Sequence, residues 1–348
     1  MKLADFDFTL PDNLIAQHPA SERDGSRMML VRRETGTREH LRFRDLPDVL
    51  GPEHFLVVNE TRVFPARLRA RRPGKNEEIE ILLLREECHG RWLALTKPGR
   101  KTPVGQRLHI GEITAEVSAI TDAGSRVIEF SGFERGKNLL EVFEKIGEPP
   151  TPPYIRRRDS GYTEEDRIRY QTVYARKSGS VAAPTAGLHF TEEVLRRLDE
   201  KGVPLCKILL HVGYGTFKPV RSENIEEHAM EPEFYDIDSE NTVRIRALKN
   251  EGRRLVAVGT TSTRCLEYLA RDKQPFERAS SGFCNLFIYP GFDFRMLNGL
   301  ITNFHLPRST LFMLVSAFAG RELMLDCYRE AISLGYRFYS YGDCMLIL

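Results

Sequence analysis

The 348-residue sequence has only six cysteines, and no two of them form a Cys-x-x-Cys pair. Scattered cysteines count against zinc motifs and a disulfide framework, and they are typical of reduced thiols in the cytoplasm. Long apolar runs are lacking too, since the longest, Leu311–Ala319, is too short to span a bilayer. The N-terminus has no apolar core of the kind that signal peptides carry. We therefore expect a cytoplasmic protein with no membrane partner.

Several catalytic signatures are also missing. The sequence contains no His-Glu-x-x-His, no Gly-x-Ser-x-Gly elbow, no Walker phosphate loop and no cysteine set for an iron–sulfur cluster. These absences count against metalloproteases, hydrolases and NTPases. The Gly-x-Gly pair at Gly213 lacks the rest of a dinucleotide fingerprint. We expect neither a metal nor a resident cofactor. The net charge is only +2, so any contact with nucleic acid must come from local basic clusters.

The pattern of strands and helices predicts two domains. Between residues 61 and 150, short alternating segments separated by turns are typical of an antiparallel barrel. The predicted strands are 66–72, 78–87, 91–96, 106–110, 113–120 and 125–130, followed by a helix over 138–147. Residues 1–60 and 151–348 alternate strands and helices, which indicates a layered α/β domain. The predicted fold class is therefore α/β, with an antiparallel β-barrel inserted into a larger α/β domain.

Four polar turns follow predicted strands of the α/β domain, at 184–189, 211–217, 259–267 and 301–310. Ligands of open α/β sheets bind at the carboxyl ends of strands, where such turns lie. Taken singly, each turn could be ordinary capping, for example by Ser262 or Ser309. Four of them in one domain favour a single small-molecule pocket. His189, His211 and His305 would be its titratable members, because histidine is the side chain that titrates near neutral pH.

Basic clusters are a second signal. Arg67, Arg69 and Arg71 alternate along a predicted strand, so their side chains share one face at a spacing of about 6.6 Å. A second cluster, Arg156–Arg158, lies in a proline-rich segment after the barrel. A solvated surface would explain such charges, and so would a face that binds the phosphates of an RNA.

Long motifs carry a family resemblance over nearly the whole chain. They include NETRVFPARL, PPYIRR, GSVAAPTAGLHFT, LHVGYGTFKPV, VAVGTTSTRCLE, LITNFHLPRSTLFMLVSAFAG and YGDCMLI. Together they resemble the S-adenosylmethionine:tRNA ribosyltransferase-isomerases of queuosine biosynthesis. The resemblance implies that the ribosyl part of S-adenosylmethionine is transferred to 7-aminomethyl-7-deazaguanine at the tRNA wobble position. It also implies rearrangement to epoxyqueuosine-tRNA, with release of adenine and methionine, and a fold in which a β-barrel is inserted into an α/β domain.

The resemblance, joined to this chemistry, suggests roles for particular residues. Proton transfers suit histidine, so His189 and His305 are expected to be the acid–base pair, with His211 third. Contacts to S-adenosylmethionine are expected from Asn59, Thr61, Arg62, Thr185, Ala186, Gly187, Gly213, Thr260, Thr261, Ser262, Arg264 and Asn303. Contacts to tRNA are expected from Arg67, Arg69, Arg71, Arg156, Arg157 and Arg158. S-adenosylmethionine is a consumed co-substrate here, and we expect a monomer.

Two alternatives stay open at this point. One is an S-adenosylmethionine-dependent tRNA methyltransferase, although no glycine-rich loop follows the first strand. The other is a non-catalytic tRNA-binding protein, which would not need three histidine-bearing turns in one domain. The chain also departs from the family pattern at Glu231 and Asn298, so no role is assigned to either residue.

Overall fold

The computed structural model describes residues 1–133, 139–150, 152, 154–155, 163–213, 215, 220, 222–271 and 276–348. The strands within these residues are β1 (Arg27–Val31), β2 (Arg38–Arg42), β3 (His54–Asn59), β4 (Thr61–Val63), β5 (Arg67–Arg71), β6 (Glu78–Cys88), β7 (Arg91–Lys97), β8 (Arg107–Ile110), β9 (Ile113–Ile120), β10 (Arg126–Ser131), β11 (Lys177–Ser180), β12 (Leu205–Leu210), β13 (Glu233–Ile237), β14 (Arg254–Val258), β15 (Ser280–Cys284), β16 (Gly299–Asn303) and β17 (Cys344–Ile347). The α-helices are α1 (Leu46–Val49), α2 (Leu139–Ile146), α3 (Glu164–Arg169), α4 (Glu192–Glu200), α5 (Ser239–Asn250), α6 (Thr260–Leu269), α7 (Thr310–Ala319) and α8 (Arg321–Ser333).

A nine-stranded mixed sheet forms the centre of the α/β domain, in the order β15-β13-β12-β3-β14-β16-β17-β1-β2. The four strands β12, β3, β14 and β16 are parallel neighbours, so their carboxyl ends meet at one edge. Strand β3 is buried along its whole length, as expected for the middle of a parallel sheet covered on both faces.

Helices cover both faces of this sheet. Successive side chains of β3 point to opposite faces: Phe55 and Val57 join a core with α5, α6, α7 and α8, whereas Leu56 and Val58 join a second core with α1 and α4. This alternation follows from the two-residue period of a strand. The predicted layered α/β architecture is therefore confirmed.

Strands β5 to β10 form a closed antiparallel barrel in the order β10-β7-β6-β5-β8-β9. Each lies within one residue of its predicted bounds, because apolar and polar residues alternate cleanly along it. Helix α2 fills the barrel interior through the buried Phe143, whose ring centroid lies 5.5 Å from that of Trp92.

The chain enters and leaves the barrel side by side. Strand β4 pairs in parallel with β11 in a separate two-stranded sheet. Residues 61–63, which the sequence places in the inserted domain, thus lie outside the barrel sheet, whose first strand begins at Arg67.

Candidate active site

A pocket enclosing about 510 Å³ opens at the carboxyl edge of the parallel strands. We call it the carboxyl-edge pocket. The loop after β11, the first turn of α6, the end of β16 and the loop before β17 all contribute to its wall. Its lining residues are Tyr154, Ala183, Pro184, Thr185, Ala186, Val212, Gly259, Thr260, Thr261, Thr302, Asn303, His305, Leu311, Tyr339 and Ser340. All four turns that were predicted to meet therefore contribute to one pocket, and the 211–217 turn does so through Val212.

The N-terminus of α6 faces this pocket without a side-chain cap. Gly259 holds the N-cap position with φ +92°, a conformation that other residues rarely adopt. The first intrahelical bond is donated by the Thr263 amide to the Gly259 carbonyl at 3.1 Å. The preceding N–H groups of Thr260, Thr261 and Ser262 have no partner within the described residues. They supply positive partial charge at the pocket wall.

Ser262, considered above as an ordinary cap of this helix, does not cap it, and neither does Thr263. The Ser262 hydroxyl donates back to the Val258 carbonyl at 2.7 Å, and the Thr263 hydroxyl donates to the Gly259 carbonyl at 3.1 Å. By contrast, Ser309 caps α7 as predicted, accepting from the Phe312 amide at 3.2 Å.

Two buried polar side chains of the pocket have unpartnered atoms. The Thr261 hydroxyl is buried and bonds to no described residue. The Asn303 side chain donates through Nδ2 to the Tyr339 carbonyl at 2.9 Å, while its Oδ1 is buried with no hydrogen-bond partner among the described residues. Buried polar atoms are almost always paired, so the Thr261 hydroxyl is available to a ligand, whereas the Asn303 side chain interacts with the His189 ring.

His305 lines the pocket and is held from two sides. Its Nε2 lies 2.9 Å from the Thr302 hydroxyl, and its backbone N–H donates to the Tyr328 hydroxyl at 3.0 Å. Burial lowers the pKa of His305 to about 3. The ring is therefore neutral at pH 7: it carries one N–H and one nitrogen that can accept a proton, and its low pKa makes it a weaker base than a free imidazole.

His189 lies outside the carboxyl-edge pocket. It lines a smaller cavity of about 260 Å³, and its ring centroid is 5.2 Å from that of Phe43. Burial is the largest cause that lowers its pKa to about 4, and an interaction with the Asn303 side chain opposes the shift. His189 thus lies behind Asn303 relative to the pocket and does not face His305 as a pair.

His211 lies in a third cavity, which encloses about 970 Å³ between the barrel and the α/β domain. We call this cavity the seam cleft. The His211 ring stacks on Phe234 at 5.8 Å, and its Nδ1 lies 2.8 Å from the Thr61 hydroxyl. Burial and the nearby Lys177 lower the pKa of His211 to about 4. The prediction that three histidines share one pocket is therefore wrong, because each lines a different cavity.

The other predicted S-adenosylmethionine contacts divide into two groups. Thr185, Ala186, Thr260, Thr261 and Asn303 line the carboxyl-edge pocket. Seven do not: Asn59, Thr61, Arg62, Gly187, Gly213, Ser262 and Arg264.

Structural contacts account for most members of the second group. The Asn59 side chain ties β3 to β12, donating to the Leu210 carbonyl at 2.8 Å. Arg264 is buried and paired with the equally buried Glu233, whose other oxygen accepts from the Gly213 amide at 2.9 Å. Gly187 packs against the Tyr174 hydroxyl. Arg62 is exposed, 3.9 Å from Glu144.

The arginines of β5 share one face of the strand, as predicted, because Leu68 and Ala70 point into the barrel. Their surroundings differ. Arg69 donates to Glu148 at 3.0 Å and to Glu78 at 2.9 Å, and Arg67 lies 3.7 Å from Glu80. Arg71 is exposed and forms no ion pair with any residue that the structure describes. Of the three arginines on β5, Arg71 is thus the one best placed to bind a phosphate. The predicted tRNA contacts Arg156, Arg157 and Arg158 lie outside the described residues.

Sequence reasoning missed several lining residues, mainly Tyr154, Thr302, Tyr339 and Ser340. The rings of Tyr154 and Tyr339 meet edge to face with centroids 3.7 Å apart. Tyr154 lies within the PPYIRR motif and Tyr339 lies two residues before YGDCMLI, and these positions were the available signal. Within the described part of the chain, no helix is long and apolar enough to cross a membrane, and no group of three or more His, Cys, Asp or Glu could hold a metal ion.

Comparisons with known proteins add to this geometry. Residues 3–347 match the family model described as queuosine biosynthesis protein. A protein of Moorella thermoacetica named S-adenosylmethionine:tRNA ribosyltransferase-isomerase is 51% identical over 350 residues, covering 100% of both chains. A protein of Pelotomaculum thermopropionicum with the same name is 50% identical at the same coverage. The crystal structure of S-adenosylmethionine tRNA ribosyltransferase from Thermotoga maritima is 37% identical, covers 99% of this chain and 100% of its own, and has a TM-score of 0.57.

Proposed function

The chain belongs to the queuosine biosynthesis protein family, and we propose that its carboxyl-edge pocket binds the S-adenosylmethionine used by this S-adenosylmethionine:tRNA ribosyltransferase-isomerase. In the proposed reaction, the ribosyl part is transferred to 7-aminomethyl-7-deazaguanine at the wobble position of a tRNA. Rearrangement gives epoxyqueuosine-tRNA, and adenine and methionine are released. We further propose that one chain acts alone, in the cytoplasm, without a metal or redox cofactor.

The uncapped N-terminus of α6 is the observation that carries this proposal. Three free N–H groups and the unpartnered Thr261 hydroxyl surround one point of the pocket wall. Such a cradle suits an anion, because helix N-termini carry positive partial charge and present donors. The carboxylate of the methionine part is the anionic group of S-adenosylmethionine, so we place it there.

The rest of the pocket suits the two positively charged groups of S-adenosylmethionine, its sulfonium and its ammonium. Among the residues that the structure describes, no Lys, Arg, Asp or Glu lines it. The rings of Tyr154 and Tyr339 can instead face the sulfonium, since aromatic faces attract cations. The Asn303 side chain, anchored by its hydrogen bond to the Tyr339 carbonyl, borders the ligand on the side of His189.

We assign the proton transfer in this pocket to His305. The sulfonium acidifies the C5′ protons of the ribose, so a neutral acceptor is required there to form the ylide. His305 is neutral because burial lowers its pKa to about 3, and the Thr302 hydroxyl fixes its ring. Replacing His305 with glutamine should therefore reduce turnover by about 10²–10⁴-fold while S-adenosylmethionine still binds.

The direct test is product analysis after incubation of the protein with S-adenosylmethionine and tRNA that carries the precursor base. We expect free adenine and free methionine in equal amounts, with and without EDTA. A methyltransferase would release S-adenosylhomocysteine instead, and a non-catalytic tRNA-binding protein would release nothing. Either of these results, or complete inhibition by EDTA, would overturn the proposal.

A further inference from the structure

The seam cleft is larger than the carboxyl-edge pocket, and both domains line it. The barrel contributes residues of β6, β7 and α2, and the α/β domain contributes residues of β11, β13 and β15 together with His211–Gly213. The space that it offers a ligand, about 360 Å³, falls within the range of small-molecule sites. A ligand in this cleft would touch both domains at once.

Aromatic rings form one wall of the cleft. Phe283 on the edge strand β15 is 50% exposed, and its ring centroid lies 5.8 Å from that of Phe234. Phe234 in turn stacks on the His211 ring. This ring fits only because residue 179 is a glycine: a Cβ at Gly179 would lie 2.5 Å from the His211 Nε2. Exposed rings beside a polar cleft are the surfaces on which proteins stack unpaired nucleobases.

The barrel wall adds polar groups that have no protein partner. Trp92 is buried, yet its indole Nε1 donates to no described residue. Arg85, at an irregularity in the β6–β7 ladder, is exposed and forms no ion pair with any described residue. An unpaired indole N–H can bond a base edge, and an unpaired guanidinium can bond a phosphate.

The cleft and the carboxyl-edge pocket are neighbours, since Val212 lines both. The wall between them is braced by hydrogen bonds: the Ser180 hydroxyl accepts from the Val212 amide at 2.9 Å, and the Val181 amide donates to the Val212 carbonyl at 3.3 Å. A base in the cleft would thus lie next to a nucleoside in the pocket.

From these observations we propose that the seam cleft receives the target nucleobase of the tRNA, with Phe283 and Phe234 as its stacking surface. The proposal rests on the proposed function, which needs a base and S-adenosylmethionine side by side. An enzyme that modifies a base must withdraw it from its stacked neighbours, and stacking on aromatic side chains compensates for the lost contacts.

The chain offers a built-in reporter for this site, because Trp92 is its only tryptophan and lines the cleft. We would titrate the full protein with an anticodon hairpin that carries the precursor base, and with the same hairpin made abasic at that position. The base-bearing hairpin should change the Trp92 fluorescence, and the abasic hairpin should change it far less. S-adenosylmethionine alone should leave it nearly unchanged.

A matched set of variants tests the stacking surface. Phe283→Ala should weaken binding of the base-bearing hairpin by roughly five- to 150-fold, the effect of removing one stacking ring, and should leave the abasic hairpin unaffected. Phe283→Tyr should behave like the parent protein, because it keeps the ring. Val243→Ala is the control, because it also truncates an exposed apolar side chain but lies on α5, outside the cleft, and it should bind both hairpins like the parent protein.

The outcomes separate this inference from the proposed function. If the parent protein releases adenine, but Trp92 does not distinguish the two hairpins and Phe283→Ala binds both normally, the cleft is only a gap between domains and the inference is wrong. If the parent protein releases no adenine from any tRNA, the proposed function fails first. Base-dependent fluorescence that Phe283→Ala abolishes supports the inference.

Discussion

Replacing Thr261 with valine should weaken S-adenosylmethionine binding without weakening the fold. The Thr261 hydroxyl is buried and has no hydrogen-bond partner among the described residues, and an unsatisfied buried hydroxyl costs about 1–3 kcal/mol. Valine keeps the branched shape and a similar helix propensity. The free energy of unfolding should therefore stay equal or rise slightly.

The loss on binding can be estimated from the contact that the hydroxyl would make. A hydrogen bond to a charged group contributes about 1.5–3 kcal/mol. Its removal should raise the Kd for S-adenosylmethionine by roughly 10- to 150-fold. Calorimetric titration measures the Kd, and denaturant unfolding of the same samples measures stability.

Thr263→Val is the matched control on the same helix. Its hydroxyl donates to the Gly259 carbonyl at 3.1 Å, so the substitution should cost stability by about 0.5–1.5 kcal/mol and leave the Kd unchanged. The reasoning is refuted if Thr261→Val binds as tightly as the parent protein, or if Thr261→Val is the variant that loses stability.

Three further outcomes are expected. Acidification from about pH 7 to about pH 5 should destabilise the protein, because burial lowers the pKa of five histidines below the ordinary 6.5: His54, His189, His211, His228 and His305. The unfolded chain then binds more protons, so stability present above about pH 6.5 is lost as the pH falls, and His305→Gln should reduce this loss by up to about 1.4 kcal/mol per pH unit in thermal melts across this range. Arg71→Ala should reduce the slope of log tRNA affinity against log salt concentration by about 0.7–0.9. Arg69→Ala should leave this slope nearly unchanged, because the Arg69 charge is already neutralised by Glu78 and Glu148. Equal slopes for Arg71→Ala and the parent protein would show that Arg71 does not contact a phosphate. Arg264→Met should lower the free energy of unfolding by about 3–5 kcal/mol, because it removes the guanidinium that neutralises the buried Glu233 carboxylate. Adding Glu233→Gln should recover part of that loss, and normal stability with lost S-adenosylmethionine binding would contradict this prediction.

The sequence predicted the elements whose patterns are strong. The barrel strands alternate apolar and polar residues because one face packs inside the barrel, so their bounds followed directly. Strand β2 was missed because it lies at the open edge of the large sheet, and its residues, REHLR, are almost all exposed. An exposed edge strand carries no such alternation to detect.

The turns of the site were predictable, but the side on which each histidine lies was not. Three of the four turns follow parallel strands of the large sheet and lie at its carboxyl edge because those strands end there together, whereas the 184–189 turn follows β11 of the two-stranded sheet. His211 and Val212 are adjacent in sequence, yet His211 lies only in the seam cleft while Val212 borders both cavities. His189 turns away towards Phe43. Such differences depend on ring packing between distant segments, which local patterns do not encode.

The most direct test of the central claim follows two labels of S-adenosylmethionine through one turnover. One preparation carries label in the ribose and another carries it in the methyl group, and each is incubated with the protein and precursor tRNA. We expect the ribose label in the tRNA and the methyl label in free methionine, in a ratio of one to one. Methyl label retained in the tRNA, or ribose label absent from it, would contradict the account.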